Sequence, residues 1–226
     1  MEKIEKTSAY KKSVYNRLKQ AIISREFKPG DLLNERKLAS ELDVSRTPVR
    51  EAIQMLENEY WVAVVPWKGA VVLPVTKEDI EELFQLRMAI EPMVMELVTH
   101  KLENAEIAYL ETLIERQKQL AGEDDGKEFI SIDQDFHLFL ANLTGNRRLR
   151  EIMVHLRDIH LRLGVEAVQE RYRYKETLEE HTAIVEALKR RDGHSARQAM
   201  LTHMVQTRRA LLRHVDLLDS EGGKTK

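Results

Sequence analysis

The sequence predicts a mainly α-helical protein: an N-terminal winged helix-turn-helix followed by an all-helical bundle of about six helices. Three observations predict it. Strand-like runs occur only before residue 75. From Thr76 almost to the end, apolar residues recur at i, i+3 and i+4, as helices packing around a common core require. The first 75 residues read as helix, short helix, tight turn, helix and hairpin, in that order.

Ser13 to Ile23 reads as the first helix, with Val14, Leu18, Ala21 and Ile22 on one face. Phe27-Lys28-Pro29-Gly30 stops it, because Pro-Gly is a turn signal. Glu35 to Leu42 is a short second helix. Asp43-Val44 is a tight connection, and Ser45 is placed to cap a third helix that runs to about Glu59. Val49, Ala52, Ile53 and Leu56 form its apolar stripe. Strands follow at Trp61–Pro66 and Ala70–Leu73, with Trp67-Lys68-Gly69 at the turn.

The domain boundary falls at Pro74-Val75-Thr76, giving domains 1–75 and 76–226. Thr76 opens T-K-E-D, an N-cap followed by an acidic residue at the third helical position. Helices are expected over Lys77–Leu102, Ala105–Leu120, Lys127–Leu143, Arg147–Leu163, Lys175–Arg190 and His194–Leu218. Gly122, Gly145-Asn146, Gly164 and Asp192-Gly193 punctuate them. The tail Ser220–Lys226 is expected to fray.

Composition narrows the chemistry. With 42% hydrophobic and 33% charged residues, the chain can bury a core and is not wholly disordered. It has 0 Cys, which excludes disulfides, a thiolate zinc site and cysteine catalysis. No apolar run reaches the ~18–20 residues of a membrane span, and the start has no signal-peptide core, so a cytoplasmic protein without membrane partners is expected. The net charge is −2, but residues 1–75 hold 13 Lys+Arg against 10 Asp+Glu, or +3, leaving −5 for the remainder. An anionic partner would therefore meet the N-terminal part.

The third helix opens Ser45-Arg46-Thr47-Pro48-Val49-Arg50. Arg46 and Arg50, at i and i+4, share a face and can reach phosphates or the O6/N7 edge of guanine. Ser45 and Thr47 are small hydroxyl donors suited to phosphates. Pro48 sits in the first turn, where its missing N–H does little harm. Arg36 lies on the preceding helix, which would cross the DNA backbone. Spacing alone equally allows a plain helix start with solvated arginines.

The stretch from Phe27-Lys28-Pro29-Gly30 through Leu33-Asn34-Glu35-Arg36-Lys37-Leu38-Ala39, Val44-Ser45-Arg46-Thr47-Pro48-Val49-Arg50-Glu51-Ala52 and Leu56 resembles the N-terminal domain of GntR-family bacterial transcription regulators. The helical remainder resembles the FCD effector domain of the FadR-type branch, and six helices match its shorter, VanR-like version. The resemblance implies a homodimer that binds double-stranded operator DNA. It implies DNA contacts by Arg36, Ser45, Arg46, Thr47 and Arg50, with Lys68 and Gly69 of the wing near the minor groove. Two positions depart from the family pattern. Tyr60 stands where glycine usually follows the reading helix, and Trp67 stands at the wing tip where a small polar residue is usual.

Asp133 and His137 lie at i, i+4 on one predicted helix, and His181 and His203 on two later ones. One carboxylate and three imidazoles converging in a bundle suit a divalent transition metal, Zn²⁺, Ni²⁺ or Mn²⁺, rather than the oxygen-loving Ca²⁺ or Mg²⁺. On spacing alone the signal is weak, because a histidine near a core is more often hydrogen-bonded than metal-bound. The resemblance implies a metal site, because many FCD domains carry D-x-x-x-H and then one His on each of two later helices. His100, His155, His160, His194 and His214 are read as structural or surface residues. Arg87 and Glu91 form another i, i+4 pair, which could be a solvated salt bridge. The resemblance implies instead that Arg87 faces the cavity and holds a small organic or sugar acid effector, with Arg157 and Arg162 as weaker candidates for the same wall.

The expected function is a repressor controlled by such an acid. The alternatives are a metal-dependent hydrolase or lyase using the same Asp/His site, and a metal-stabilised adaptor without effector. No motif supplies the positioned acid or base an enzyme would need.

Overall fold

The computed structural model describes residues 5–123, 125–167 and 173–222, and the chain divides into two units, Met1–Val75 and Thr76–Lys226. Helix α1 (Glu5–Ile23) opens the first unit. It begins before Ser13 because the stretch EKTSAYKK is compatible with helix yet carries no apolar period to announce it. Its buried face is Val14, Leu18, Ala21 and Ile22. Arg25, at φ 64°, turns the chain left-handed and ends the helix ahead of the Pro29-Gly30 turn.

Strand β1 (Leu32–Leu33) follows, then α2 (Glu35–Glu41), α3 (Arg46–Asn58), β2 (Val62–Val65) and β3 (Gly69–Val72). Two-residue β1 gives no periodic signal, and the sequence did not announce it. Asn34 caps α2 by accepting from the Arg36 and Lys37 N–H groups at 3.0 and 3.1 Å. Ser45 occupies the N-cap of α3 with extended dihedrals, but the expected side-chain capping bond is absent. Helix α3 buries Val49, Ala52, Ile53 and Leu56, and it packs against α1.

The three strands form an antiparallel sheet in the order β1-β3-β2, with Leu33 opposite Ala70 and Val65 opposite Gly69. Gly69, at φ 118°, is required there, because a Cβ would stand 2.7 Å from the Leu33 carbonyl oxygen. Tyr60, in the position where the family places glycine, does adopt the left-handed conformation, at φ 59°. Its N–H bonds the Glu57 carbonyl, and the Trp61 N–H bonds Leu56, closing α3. The strain for a side chain of this size is about 1–2 kcal/mol, and the 78%-exposed ring recovers none of it by burial. Nearby, buried Lys19 donates to the Tyr15 hydroxyl and to Glu59, 4.9 Å from the Trp61 ring centroid. This polar knot pins α1 to the end of α3.

The second unit is helical throughout its described residues: α4 (Lys77–Val98), α5 (Asn104–Glu123), α6 (Gly126–Leu143), α7 (Arg147–Ala167), α8 (Arg173–Lys189) and α9 (Gly193–Gly222). Thr76 and Asp79 make a reciprocal capping box at the start of α4. Helix α4 ends at Val98, short of Leu102, while α7 and α9 run a few residues beyond the expected ends. Of the tail expected to fray, Ser220 to Gly222 continue α9, and residues 223–226 lie outside the described residues. Helix α9 packs on α4 and α8, α6 on α7, and α5 joins α6 to α8. Phe84, Met95, Leu110, Phe136, Leu140, Leu156, Met200 and Met204 fill the interior. No described helix is long and apolar enough to cross a membrane.

Candidate functional site

Asp133 and His137 of α6, His181 of α8 and His203 of α9 converge in the bundle, all buried, with one ligand atom from each lying within 4.8 Å of the others. The Nε2 atoms of His137 and His203 are 3.2 Å apart, and His181 Nε2 is 3.4 Å from Asp133 Oδ1. Apolar periodicity places them so: the turns of α6 that bury Phe129, Phe136 and Leu140 bury Asp133 and His137 as well. Phe136 stacks on His181, with ring centroids 4.2 Å apart and planes 9° from parallel.

The other edge of each imidazole is held. His203 Nδ1 is 2.7 Å from Glu180 Oε2, and His181 Nδ1 is 2.9 Å from Gln117 Oε1. His137 Nδ1 lies 2.6 Å from Glu91 Oε2, a close contact rather than an aligned hydrogen bond. All three partners are acceptors, so each Nδ1 carries the proton and each Nε2 presents a lone pair inward. His181 Nε2 is buried without a hydrogen-bond partner. Three inward lone pairs and a carboxylate repel one another unless a cation stands among them, so the donor set fits a divalent transition metal.

The supporting carboxylates are themselves held by arginines. Arg87 Nε donates to Glu91 Oε1 at 2.5 Å, and Arg173 donates to both oxygens of Glu180 at 2.9 and 2.7 Å. Burial would raise the Glu91 carboxyl, but Arg87 and then His137 hold it well below the usual carboxylate range. Burial, reinforced by neighbouring His137, pushes His203 down to about 3; burial and His203 push His181 well below its ordinary value. His181 and His203 are thus neutral at neutral pH, the form that ligates metal.

Arg87 does not stand free. It is 1% exposed, and besides Glu91 its Nη1 lies 2.6 Å from His160 Nδ1. Only Nη2 lacks a hydrogen-bond partner. The pair with Glu91 is therefore buried, not solvated. His160 of α7, read from sequence as structural or surface, forms part of this wall; burial and then Arg87 push it down to about 3. Arg157 pairs with Asp135 at 2.8 Å, and Arg162 is half-buried on α7. Among the remaining histidines, His100, His155 and His194 are exposed and His214 is buried. Glu91, Gln117, His160 and Glu180 escaped the sequence reading as a group. Glu91 alone carried a signal, its spacing to Arg87.

In the first unit, Arg36, Ser45, Arg46, Thr47, Arg50 and Lys68 are exposed, and Gly69 is half-buried. Arg36, Arg46, Arg50, Lys68 and Gly69 border one groove of about 480 Å³ between α3 and the β2–β3 hairpin. Glu35, also unannounced, holds both reading-helix arginines. Its carboxylate accepts from Arg46 Nη2, Arg50 Nε and Arg50 Nη2, each at 3.2 Å. These bonds, Arg50 first, lower the Glu35 carboxyl despite its partial burial.

Comparison with known proteins agrees with both halves. Residues 10–72 match the model of the bacterial regulatory proteins of the gntR family, and residues 82–206 match the FCD domain. The chain belongs to the GntR family. This GntR regulator is 30% identical over 202 residues to the uncharacterised HTH-type transcriptional regulator YdhC of Bacillus subtilis, covering 89% of this chain and 90% of that one. It is 28% identical over 180 residues to the gluconate operon transcriptional repressor of Bacillus licheniformis, covering 77% and 74%. Among solved structures it is similar to E. coli McbR/YncC, with TM-score 0.78, 25% identity and coverage of 91% and 98%. The relatives are transcriptional regulators, and this chain is a regulator of transcription, not an enzyme.

Proposed function

We propose that the protein is a cytoplasmic, homodimeric repressor whose operator binding is controlled by a small organic or sugar acid. The acid binds beside a Zn²⁺, Ni²⁺ or Mn²⁺ ion held by Asp133, His137, His181 and His203. The carrying observation is the orientation of the imidazoles: each Nδ1 faces Glu91, Gln117 or Glu180, which leaves three Nε2 atoms and Asp133 to face one another. The bound ion would supply a Lewis-acidic centre for a carboxylate. Arg87 offers that carboxylate its Nη2 edge, and a second bond through Nη1 requires His160 to yield.

Reading by α3 and the wing is supported by the exposed cations bordering their groove. The dimer is supported by exposed Leu86, Met93 and Leu97, an apolar stripe on one face of α4. Repression, and the acid class of effector, draw support from the relative named a gluconate operon repressor. The acid acts by binding more tightly to one of two states of the dimer, since only differential affinity shifts such an equilibrium.

The test combines elemental analysis of untagged protein with gel shifts on a selected operator, with and without a panel of organic and sugar acids. About one transition-metal ion per chain is expected, together with release of operator by at least one acid. Metal-free protein that gains no thermal stability from Zn²⁺, Ni²⁺ or Mn²⁺, or operator binding that no acid changes, would overturn the reading.

A further inference from the structure

The wing tip carries a residue that no part of the fold uses. Pro66, Trp67 and Lys68 join β2 to β3, and the Lys68 N–H closes the turn on the Val65 carbonyl at 3.1 Å. Trp67 occupies the third position of this four-residue turn at φ 68°, where glycine or asparagine is favoured and a large side chain is strained. Its side chain gains nothing inside the molecule in return: Trp67 is 104% exposed, while the chain's other tryptophan, Trp61, is fully buried.

The tip is nevertheless held in place. Gly69 pairs with Val65, and its backbone lies against Leu33 of β1 too closely for any Cβ, so the hairpin is fixed to the sheet. Trp67 therefore stands at a set position on the rim of the groove bordered by Arg36, Arg46, Arg50 and Lys68. The cations select a polyanion. The indole beside them needs an apolar surface within that polyanion. Duplex DNA offers one on the sugar walls and base edges of the minor groove, where apolar side chains enter as wedges between base steps.

We propose that Trp67 inserts into the minor groove flanking the bases read by α3, as an apolar wedge that favours an easily unstacked pyrimidine–purine step there. This rests on the DNA-binding reading above. Lys68 neutralises an adjoining phosphate, and the hairpin fixed to the sheet holds the backbone of the tip, so that binding orders the indole side chain and not the turn.

The two tryptophans make the test direct. In the free full-length protein, acrylamide should quench an accessible Trp67 component, and saturating operator should shield it. Trp67→Phe should remove that component and leave only buried Trp61. Trp67→Ala should weaken operator binding by on the order of 10-fold, as loss of an apolar wedge at one base step would. It should also erase hydroxyl-radical protection of the flanking minor-groove sugars while the protection over the α3 site persists. Trp67→Leu, an apolar wedge without an aromatic face, should retain most of the affinity. Unchanged quenching with operator bound, or wild-type affinity and footprint in Trp67→Ala, would overturn the wedge while leaving DNA binding intact. Shielding that depends on protein concentration rather than on operator would assign the tip to a protein partner and equally overturn it. A wild-type protein that binds no duplex would overturn the DNA-binding reading, and the wedge with it.

Discussion

Replacing Glu180 by Gln tests whether the outer acceptors orient the metal ligands. Glu180 Oε2 is 2.7 Å from His203 Nδ1, and Arg173 holds both carboxylate oxygens. An amide keeps the shape but loses the charge that raises imidazole basicity, and its NH₂ cannot accept from Nδ1–H. Loss of such an outer partner costs about 10–100-fold in metal affinity, or roughly 1.4–2.8 kcal/mol. At a fixed excess of metal, the same energy is removed from the metal-induced stabilisation. For a unit of this size, this corresponds to roughly 3–11 °C of melting temperature. Glu180 is the cleanest of the three outer positions. Removing Glu91 would strand fully buried Arg87, a loss of about 3–5 kcal/mol that would mask the metal effect. Gln117 is neutral, so Gln117→Ala should fall at the low end. The assay is a chelator-competition titration of demetallated protein with Zn²⁺, paired with melting curves with and without metal. Wild-type Zn²⁺ affinity in Glu180→Gln, with an undiminished melting shift, would refute the orienting role.

Arg46→Ala and Arg50→Ala should each weaken operator binding by roughly 1–3 kcal/mol per head if a bidentate base contact is lost; gel shifts in which both variants match wild type would remove α3 as the reader. Tyr60→Gly should stabilise the first unit by about 1 kcal/mol, because glycine relieves the left-handed strain at φ 59° and little packing is forfeited; urea melts showing destabilisation would contradict this. The metal-free bundle should be acid-labile. His160 and His203 are held near 3 in the folded chain, against ~6.5 when unfolded. The unfolded chain therefore takes up protons first, so stability is full above about pH 6.5 and falls steadily as pH drops toward 3. A melting temperature flat from about pH 7 to 5 in chelator-treated protein would be evidence against neutral buried imidazoles.

The elements legible in the sequence were those with a strong local cause. Helix α4 was announced by Thr76 and Asp79, which make both bonds of the capping box. The i, i+4 spacing of Asp133 and His137 placed them on one face, and burial of Phe136 between them turned that face inward. Strand β1 had no such cause; its two residues become a strand only because β3 arrives beside them. The outer acceptors were hidden for the same reason. Gln117 is one more polar residue on α5 until α8 brings His181 to within 2.9 Å, and Glu35 looks like an ordinary first-turn acid until α3 crosses α2. Such partners are fixed by packing between elements, which no single-helix pattern records. His160, read as structural or surface, is buried, and its particular partner was equally hidden: α4 brings Arg87 to it.

The buried charges also explain why a metal and an acid belong together here. Around the imidazoles stand three carboxylates, Asp133, Glu91 and Glu180, and two guanidiniums, Arg87 and Arg173. Counting these carboxylates and guanidiniums alone, three negative charges against two positive leave −1. A free organic acid entering that wall would meet net repulsion at low dielectric, where it is poorly screened. With a divalent ion bound the local sum becomes +1, which one carboxylate neutralises. On this reading acid binding is conditional on metal, and a neutral sugar gains none of this charge neutralisation. The arginines cannot substitute for the ion, because each is already committed to the carboxylate that orients a histidine. Arg87 can add a second bond to an effector, beyond the one its Nη2 offers, only by loosening Glu91 or His160, and thus His137 or α7. That coupling supplies a physical route by which a bound acid could repack the bundle.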